Sequence, residues 1–96
     1  TPQVLRESHM KLILCTECYD VVKLADEVRS CRCGRCKGRY LDDVNAEISE
    51  NAVPLGILNS EMAKAVRNRP KKGPGSKVTA FIFPEKCDSI IINRSL

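Results

Sequence analysis

The stretch that decides the fold lies near the front of the chain and contains five of its six cysteines. It reads Cys15-Thr16-Glu17-Cys18 and, after twelve residues, Cys31-Arg32-Cys33-Gly34-Arg35-Cys36. Two close cysteine pairs on separate tight loops supply the four soft ligands that a tetrahedral zinc ion prefers. The spacing between the pairs suits a short β-hairpin that brings the loops together. The sequence therefore predicts one structural Zn²⁺ per chain, bound by paired cysteine loops.

The identity of the second pair is open. It is either Cys31 with Cys33 or, with Cys36 in place of Cys31, Cys33 with Cys36. Gly34 directly after Cys33 favours the first choice, because glycine lets a metal loop turn. Other interpretations of the cysteines are a disulfide framework, a redox-active C-x-x-C pair and an iron–sulfur cluster. A site closed by four protein ligands leaves no position for an activated water, so we expect it to stabilise the fold and not to catalyse.

Length and composition limit the chain to one small domain. It has 96 residues, with two Tyr, two Phe and no Trp to fill a core. A chain of this size buries only about 60% of its extended surface, so a metal or disulfide staple is expected. No apolar run approaches the roughly 18 residues of a membrane span. No export signal is visible either, and the expected compartment is a reducing cytoplasm, where clustered cysteines bind metals more often than they form disulfides.

The first nine residues are interpreted as an expression-vector remnant. Ser8-His9-Met10 resembles a vector junction, and a strongly apolar segment begins immediately after it. His9, the single histidine, would then not be native. Residues 10–96 are expected to form a single zinc-ribbon-containing α+β domain.

The remaining pattern predicts short strands and one helix. Strands or buried apolar stretches are expected at residues 11–15, 39–41, 54–58, 78–83 and 89–93. The helix is expected from Glu61 to about Arg69, with Ser60 as its N-cap and Pro70 ending it. Residues 84–88 are expected to join the last two strands. The predicted fold class is α+β, an N-terminal zinc ribbon followed by a small antiparallel sheet and one short helix.

The run from Cys15 to Cys33 resembles the zinc-ribbon superfamily, whose members share metal binding and differ in function. A longer run resembles a family of small uncharacterised bacterial and phage proteins. The residues that carry this resemblance are Cys31-Arg32-Cys33-Gly34, Gly38-Arg39-Tyr40-Leu41-Asp42-Asp43, residues 52–60 and the helix from Met62 to Asn68. The resemblance implies the fold and the C-x-C-G ligand pair, and it implies no activity.

Two basic clusters are candidate partner-binding surfaces. The first cluster, around the second metal loop, consists of Arg29, Arg32, Arg35, Lys37 and Arg39. The second cluster, at the helix end and the loop after it, consists of Arg67, Arg69, Lys71, Lys72 and Lys77. Such charges bind phosphates or an acidic protein surface, and they also occur as plain solvated faces.

Enzymatic catalysis has little support in this sequence. With His9 discounted there is no imidazole base for a Ser–His or Cys–His arrangement, and no Gly-rich phosphate loop precedes the helix. We therefore expect a zinc-stabilised interaction or regulatory module that is not an enzyme. Its basic surface would bind a protein or a nucleic acid, and the pattern does not distinguish a monomer from a dimer. The alternatives are a thiol-based redox protein that uses its C-x-x-C cysteines and a nucleic-acid-binding zinc ribbon.

Overall fold

The computed structural model describes residues 9–96. Residues 1–8 of the predicted vector remnant lie outside this range, and His9 is the first residue of the first strand. The elements of the described chain are, in order, β1 His9–Cys15, β2 Val21–Lys23, β3 Arg29–Ser30, β4 Lys37–Tyr40, β5 Ala46–Ile48, β6 Ala52–Leu58, α1 Asn59–Arg67, β7 Ala80–Ile82 and β8 Ile90–Ile92. The class is α+β, as the sequence predicts, with two small sheets and one helix.

The first sheet has the strand order β2-β1-β6-β7 and is antiparallel throughout. Its centre is the long pair β1 and β6, which are in register from His9 opposite Leu58 to Cys15 opposite Ala52. The apolar run at residues 12–14 suits a central strand, because a strand with neighbours on both sides needs apolar or β-branched side chains to pack. This sheet places Cys15 at the end of β1.

The second sheet has the order β3-β4-β5-β8 and is mixed. Strands β3, β4 and β5 are antiparallel neighbours, whereas β5 and β8 are parallel. The prediction of a purely antiparallel sheet is therefore wrong at this pair. A parallel pair needs a crossover connection. Here residues 49–89 form this connection, and two of its strands, β6 and β7, belong to the first sheet.

The two C-terminal strands lie in different sheets, although the sequence suggests a directly joined pair. Strand β7 adds to β6, and the N–H group of Phe83 still donates to the carbonyl of Pro54 at 3.0 Å. A turn closed by the Ile90 N–H and the Cys87 carbonyl, 3.1 Å apart, then redirects the chain. The segment 84–88 is thus a bridge between the sheets.

The core lies where the two sheets meet. Its fully buried side chains include Ile13 of β1 and Ile48 of β5, and Leu24 and Tyr40 pack in the same cluster. The same cluster contains Cys15, Cys31 and Cys36. The cysteine loops are therefore part of the core.

Lys11 connects the sheets from inside this core. Its side chain is only 1% exposed, and its ammonium Nζ donates to the carbonyl of Val44 at 2.9 Å. The backbone N–H of Lys11 donates to the Tyr40 hydroxyl at 2.9 Å, and Nζ lies 5.7 Å from the centre of that ring. Desolvation by burial lowers the pKa of Lys11. One side chain of β1 thus binds two residues that lie in or beside the second sheet.

The helix differs from its predicted limits. It begins at Asn59, directly after β6, and ends at Arg67. Leu58 occupies the N-cap and makes no side-chain capping bond, so the prediction of Ser60 as N-cap is wrong: the strand continues into the helix without a loop. None of the nine side chains of α1 in the described chain is buried, and Val66 is 64% exposed. Within residues 9–96, no helix has the length and apolar character needed to cross a membrane.

Candidate metal centre

The first cysteine loop follows β1 and turns sharply into β2. The N–H of Tyr19 donates to the Cys15 carbonyl at 2.7 Å, and the N–H of Cys15 donates to the Asp20 carbonyl at 3.0 Å. Tyr19 takes a left-handed backbone conformation, with φ of 58°, which reverses the chain in a short space. The loop thereby brings Cys18 back beside Cys15.

The second cysteine loop connects β3 with β4. It is closed by the Cys31 N–H, which donates to the Cys36 carbonyl at 2.9 Å, and by the Gly34 N–H, which donates to the Cys31 carbonyl at 3.0 Å. Gly34 has φ of 80°, a conformation that favours glycine, and a Cβ at this position would meet no atom within 4 Å. The glycine is needed for the backbone turn and not to relieve crowding.

The two loops bring four cysteines together. The Sγ atoms of Cys15, Cys18, Cys31 and Cys33 all lie within 4.8 Å of one another. The Sγ of Cys33 is 3.7 Å from that of Cys15 and 3.5 Å from that of Cys31. Four sulfurs about 2.3 Å from a tetrahedral Zn²⁺ would be about 3.8 Å apart. The cluster is therefore compatible with a tetrathiolate metal site, and all six cysteines are free thiols rather than disulfides.

Backbone donors point at the sulfurs. The N–H groups of Glu17 and Cys18 lie 3.4 and 3.5 Å from the Sγ of Cys15, and the N–H of Cys36 lies 3.3 Å from the Sγ of Cys31. Such N–H···S bonds stabilise the thiolate form that binds a metal. The bond from Cys18 lowers the pKa of Cys15. For Cys31, burial opposes ionisation, but the bond from Cys36 and those with neighbouring thiols lower the pKa to about 6.

The four thiols of the cluster do not all lose their protons equally easily. The N–H of Arg35 favours the thiolate of Cys33, but burial and the thiols of Cys31, Cys15 and Cys18 outweigh it and raise the pKa of Cys33 to about 12. Charges packed this closely repel each other unless a cation lies among them. The donor set is therefore suited to a divalent ion that prefers sulfur, as Zn²⁺ does.

The remaining two cysteines lie outside the cluster. Cys36 is buried, and its thiol donates to the Asn51 carbonyl at 3.6 Å. Burial raises the pKa of Cys36 to about 12. The structure thus places Cys31 in the group of four, while Cys36 lies beside it: its backbone N–H bonds to the Sγ of Cys31, and its thiol is hydrogen-bonded to that of Cys15. The Sγ of Cys87 lies beside the hydroxyl of Ser89, 3.4 Å away, in the turn before β8.

The site connects the two sheets. Cys15 and Cys18 belong to the hairpin of β1 and β2 in the first sheet, and Cys31 and Cys33 to the hairpin of β3 and β4 in the second. The sequence suggested one hairpin that brings the loops together, whereas here each loop has its own. A bound ion would hold the sheets together at this end, as Lys11 does deeper in the core.

The first basic cluster has acidic partners that are distant in the sequence. An Nη of Arg35 lies 3.5 Å from a carboxylate oxygen of Glu17, and Nε of Arg39 donates to Glu47 at 2.6 Å. The carboxylate of Asp20 accepts the backbone N–H of Arg32 at 2.8 Å. Sequence analysis missed these three acids because they lie outside the run of basic residues. The sequence offered one indication of these acidic partners, which is that Glu17 lies between the first two cysteines.

The second basic cluster has no such partners in the described chain. Its five side chains are exposed, and the recorded ion pairs involve other residues. No Asp or Glu occurs anywhere between Glu61 and Glu85. The two predicted surfaces therefore differ, since two of the five cations of the first form ion pairs with acidic side chains, and no ion pair of residues 9–96 involves the second.

Comparison of the chain with protein families, with curated proteins and with solved structures gives no match.

Proposed function

We propose that this chain is a zinc-stabilised interaction module, held by one structural Zn²⁺ and acting by binding an anionic partner through a basic surface. The observation that carries the proposal is the group of four sulfurs within 4.8 Å of one another, contributed in pairs by two hairpins of different sheets. The zinc-ribbon architecture belongs to this proposal, since it depends on the ion.

The structural role of the ion follows from the size of the core. Apart from the cysteines, few side chains are fully buried, and the largest of them is a lysine. Structural zinc contributes an apparent ~10–16 kcal/mol in small zinc-binding peptides at neutral pH. An ion between the sheets would therefore supply much of the stability that so small a core lacks.

A catalytic role for the ion has less support. Four cysteines complete a tetrahedral coordination sphere, so no position remains for a water or a substrate. Cys15 and Cys31 are buried and Cys18 is half-buried, so access to these three sulfurs is limited, and Cys33 is the exposed member of the group. Binding rather than chemistry is thus the activity that the site favours.

The experiment is to measure zinc content and folding together. The purified chain should contain one zinc per molecule by elemental analysis, and Co²⁺ in its place should give the absorption of a tetrahedral thiolate site. A chelator should remove the ion and abolish the circular-dichroism spectrum of the folded chain. A folded, metal-free chain with a reversible cysteine pair would contradict this proposal and favour the redox alternative.

A further inference from the structure

The strongest unexplained feature of the surface is a stretch of positive charge around the end of α1. Residues 62–84 contain six basic side chains and no acidic one. We call these six residues the basic arm: Lys64, Arg67, Arg69, Lys71, Lys72 and Lys77. All six are exposed. A charge of this size on so short a segment is more than folding requires.

Local helix stability accounts for only part of the basic arm. Lys64 and Arg67 lie in the last turn of α1, where cations interact favourably with the helix dipole. Lys71, Lys72 and Lys77 lie further from the helix end, and the effect falls off within one turn. The helix dipole therefore does not account for these three charges.

The segment after the helix is folded back and is not an open tail. The hydroxyl of Ser76 donates to the Asn68 carbonyl at 3.4 Å, and the N–H of Thr79 donates to a carboxylate oxygen of Glu61 at 3.1 Å. These contacts leave an open groove of about 440 Å³ that is lined by Lys64 and Lys77, among others. The folded-back segment therefore places Lys64 and Lys77 of the basic arm on the same groove.

The first basic cluster serves as an internal comparison. Arg35 and Arg39 form ion pairs with Glu17 and Glu47, and the carboxylate of Asp20 accepts the backbone N–H of Arg32. Under the proposed function, four thiolates and one divalent ion would add a charge of about −2, so the formal charge of this face would be close to zero. In the basic arm, the carboxylate of Glu61 opposes six cations. Electrostatic attraction of an anion is thus concentrated at the arm.

We propose that the basic arm binds the phosphate backbone of a nucleic acid with little preference for sequence. This inference rests on the proposed function as a binding module and names the partner. Residues 70–76 contain no apolar or aromatic side chain. Protein interfaces are anchored mainly by Trp, Tyr and Arg, and insertion into a lipid surface needs an apolar face. The segment 70–76 offers no aromatic anchor and no apolar face, and within residues 64–77 the one large apolar side chain that is exposed is Val66. A phosphate backbone, which cations bind without such anchors, therefore suits this segment better than either alternative.

Charge density also favours a nucleic acid. Duplex DNA has one negative charge per about 1.7 Å and releases condensed counterions when cations bind it. An extended acidic polypeptide has at most one charge per about 3.3 Å. Two glycines and two prolines, Gly73, Gly75, Pro70 and Pro74, keep this segment out of regular helix or strand. The segment can therefore adapt its course to that of a nucleic-acid backbone. We therefore expect the arm to bind a duplex more tightly than a polyanionic peptide.

The test uses the zinc-loaded chain and a fluorescein-labelled 20-base-pair DNA duplex, with affinity measured by anisotropy between 50 and 200 mM salt. Each phosphate contact contributes about −0.9 to the slope of log K against log salt. If Lys71 and Lys72 each contact one phosphate, the double variant K71Q/K72Q should reduce the magnitude of this slope by about 1.8. The matched control R29Q/R32Q removes the same charge from the first cluster and should leave the slope unchanged.

The inference would be overturned by an equal loss of slope in R29Q/R32Q, by tighter binding of polyglutamate than of DNA, or by binding only to vesicles that contain phosphatidylserine. Zinc content and circular dichroism of the same samples keep the two proposals apart. A folded chain with one zinc and no affinity for DNA removes the nucleic-acid inference alone. A chain without zinc that stays folded removes the zinc-stabilised module instead.

Discussion

Arg39 and Glu47 are cross-strand partners: they lie opposite each other on β4 and β5, and the Nε of Arg39 donates to a carboxylate oxygen of Glu47 at 2.6 Å. The other oxygen of that carboxylate accepts from the side-chain amide of Asn93, just after β8, at 2.9 Å. One buried carboxylate therefore connects three neighbouring strands. Arg39, which the sequence predicts as a partner contact, forms an ion pair with Glu47 inside the protein.

Removal of the Glu47 carboxylate should destabilise the second sheet. In E47A both donors lose their charged acceptor, and we expect the free energy of unfolding to fall by about 2 kcal/mol. The control is E50A, because Glu50 forms only an exposed pair with Arg94 at 3.3 Å and such pairs contribute at most about 1 kcal/mol. Urea denaturation of the zinc-loaded chains measures both values. Equal losses in the two variants would contradict a special role for Glu47.

The same carboxylate should make stability depend on pH. The hydrogen bond from Asn93, followed by that from Arg39, lowers the pKa of Glu47 in the folded chain. A carboxyl group with a lowered folded pKa stabilises the fold above its unfolded pKa of about 4.3 and loses this contribution as the pH falls through the folded value. We expect the stability difference between the native chain and E47Q to be constant near neutrality and to shrink below about pH 4.3.

This difference is measured by urea denaturation of both chains at each pH. Loss of zinc in acid is expected to unfold both chains alike, so the comparison uses only pH values at which circular dichroism shows both to be folded. A difference that stays constant from pH 7 to such a pH below about 4.3 would show that the Glu47 bonds do not favour the charged form.

Lys11 should be far more important for stability than its charge suggests. K11A removes the bond to the Val44 carbonyl and leaves a space in the core, and we expect a loss of about 2–4 kcal/mol. Lys23 on β2 provides the matched control, because it is an exposed lysine of the same sheet. K23A should change the free energy of unfolding by less than about 0.5 kcal/mol. Similar values for both variants would show that the buried contacts of Lys11 contribute nothing.

Serine substitution should distinguish the cysteines that bind zinc from those that do not. We expect C15S and C33S to lose stoichiometric zinc, because each removes one of four sulfurs from the cluster. C36S and C87S should each keep one zinc per chain, since these thiols lie outside the group of four. Elemental analysis of the purified variants measures the ratio. Loss of zinc from C36S with retention in C31S would favour the alternative ligand set.

Gly34 should be required by the turn of the second loop. Alanine in its left-handed conformation costs about 1 kcal/mol, and G34A should also weaken zinc binding because the loop carries two ligands. Gly75 is the control, since it has no left-handed φ and no atom within 4 Å of an added Cβ. Competition with a chromogenic chelator compares the two zinc affinities. Unchanged affinity in G34A would show that the turn tolerates a side chain.

The cysteine cluster was accessible from the sequence because it depends on local spacing. The C-x-x-C and C-x-C-G patterns each fold within one loop, so the position of Gly34 was enough to prefer Cys31 over Cys36 as a member of the group. The strand at residues 11–15 was equally visible, since its apolar run has no competing pattern. The identity of the ion stays a prediction.

Features that depend on distant residues could not be read in this way. The partners of Arg39 are Glu47 and Asn93, which become neighbours only when β4, β5 and β8 are aligned. The run Ile90–Ile92 predicts a strand but not its parallel neighbour, because an apolar strand pairs equally well in either direction. Ser60 matches the chemistry of an N-cap, yet the strand before it continues into the helix and moves the start to Asn59.

We expect the parallel pairing of β5 with β8 to form late during folding, because it joins segments that are far apart in the sequence. Strand β8 reaches β5 only after the chain has passed through β6, α1 and β7, and closures over such separations are slow. The two cysteine loops are separated only by residues 19–30, so they meet early at small entropic cost. We therefore expect the ion to bind while the second sheet is still incomplete, and Ile90–Ile92 to pair with β5 after the metal site has formed.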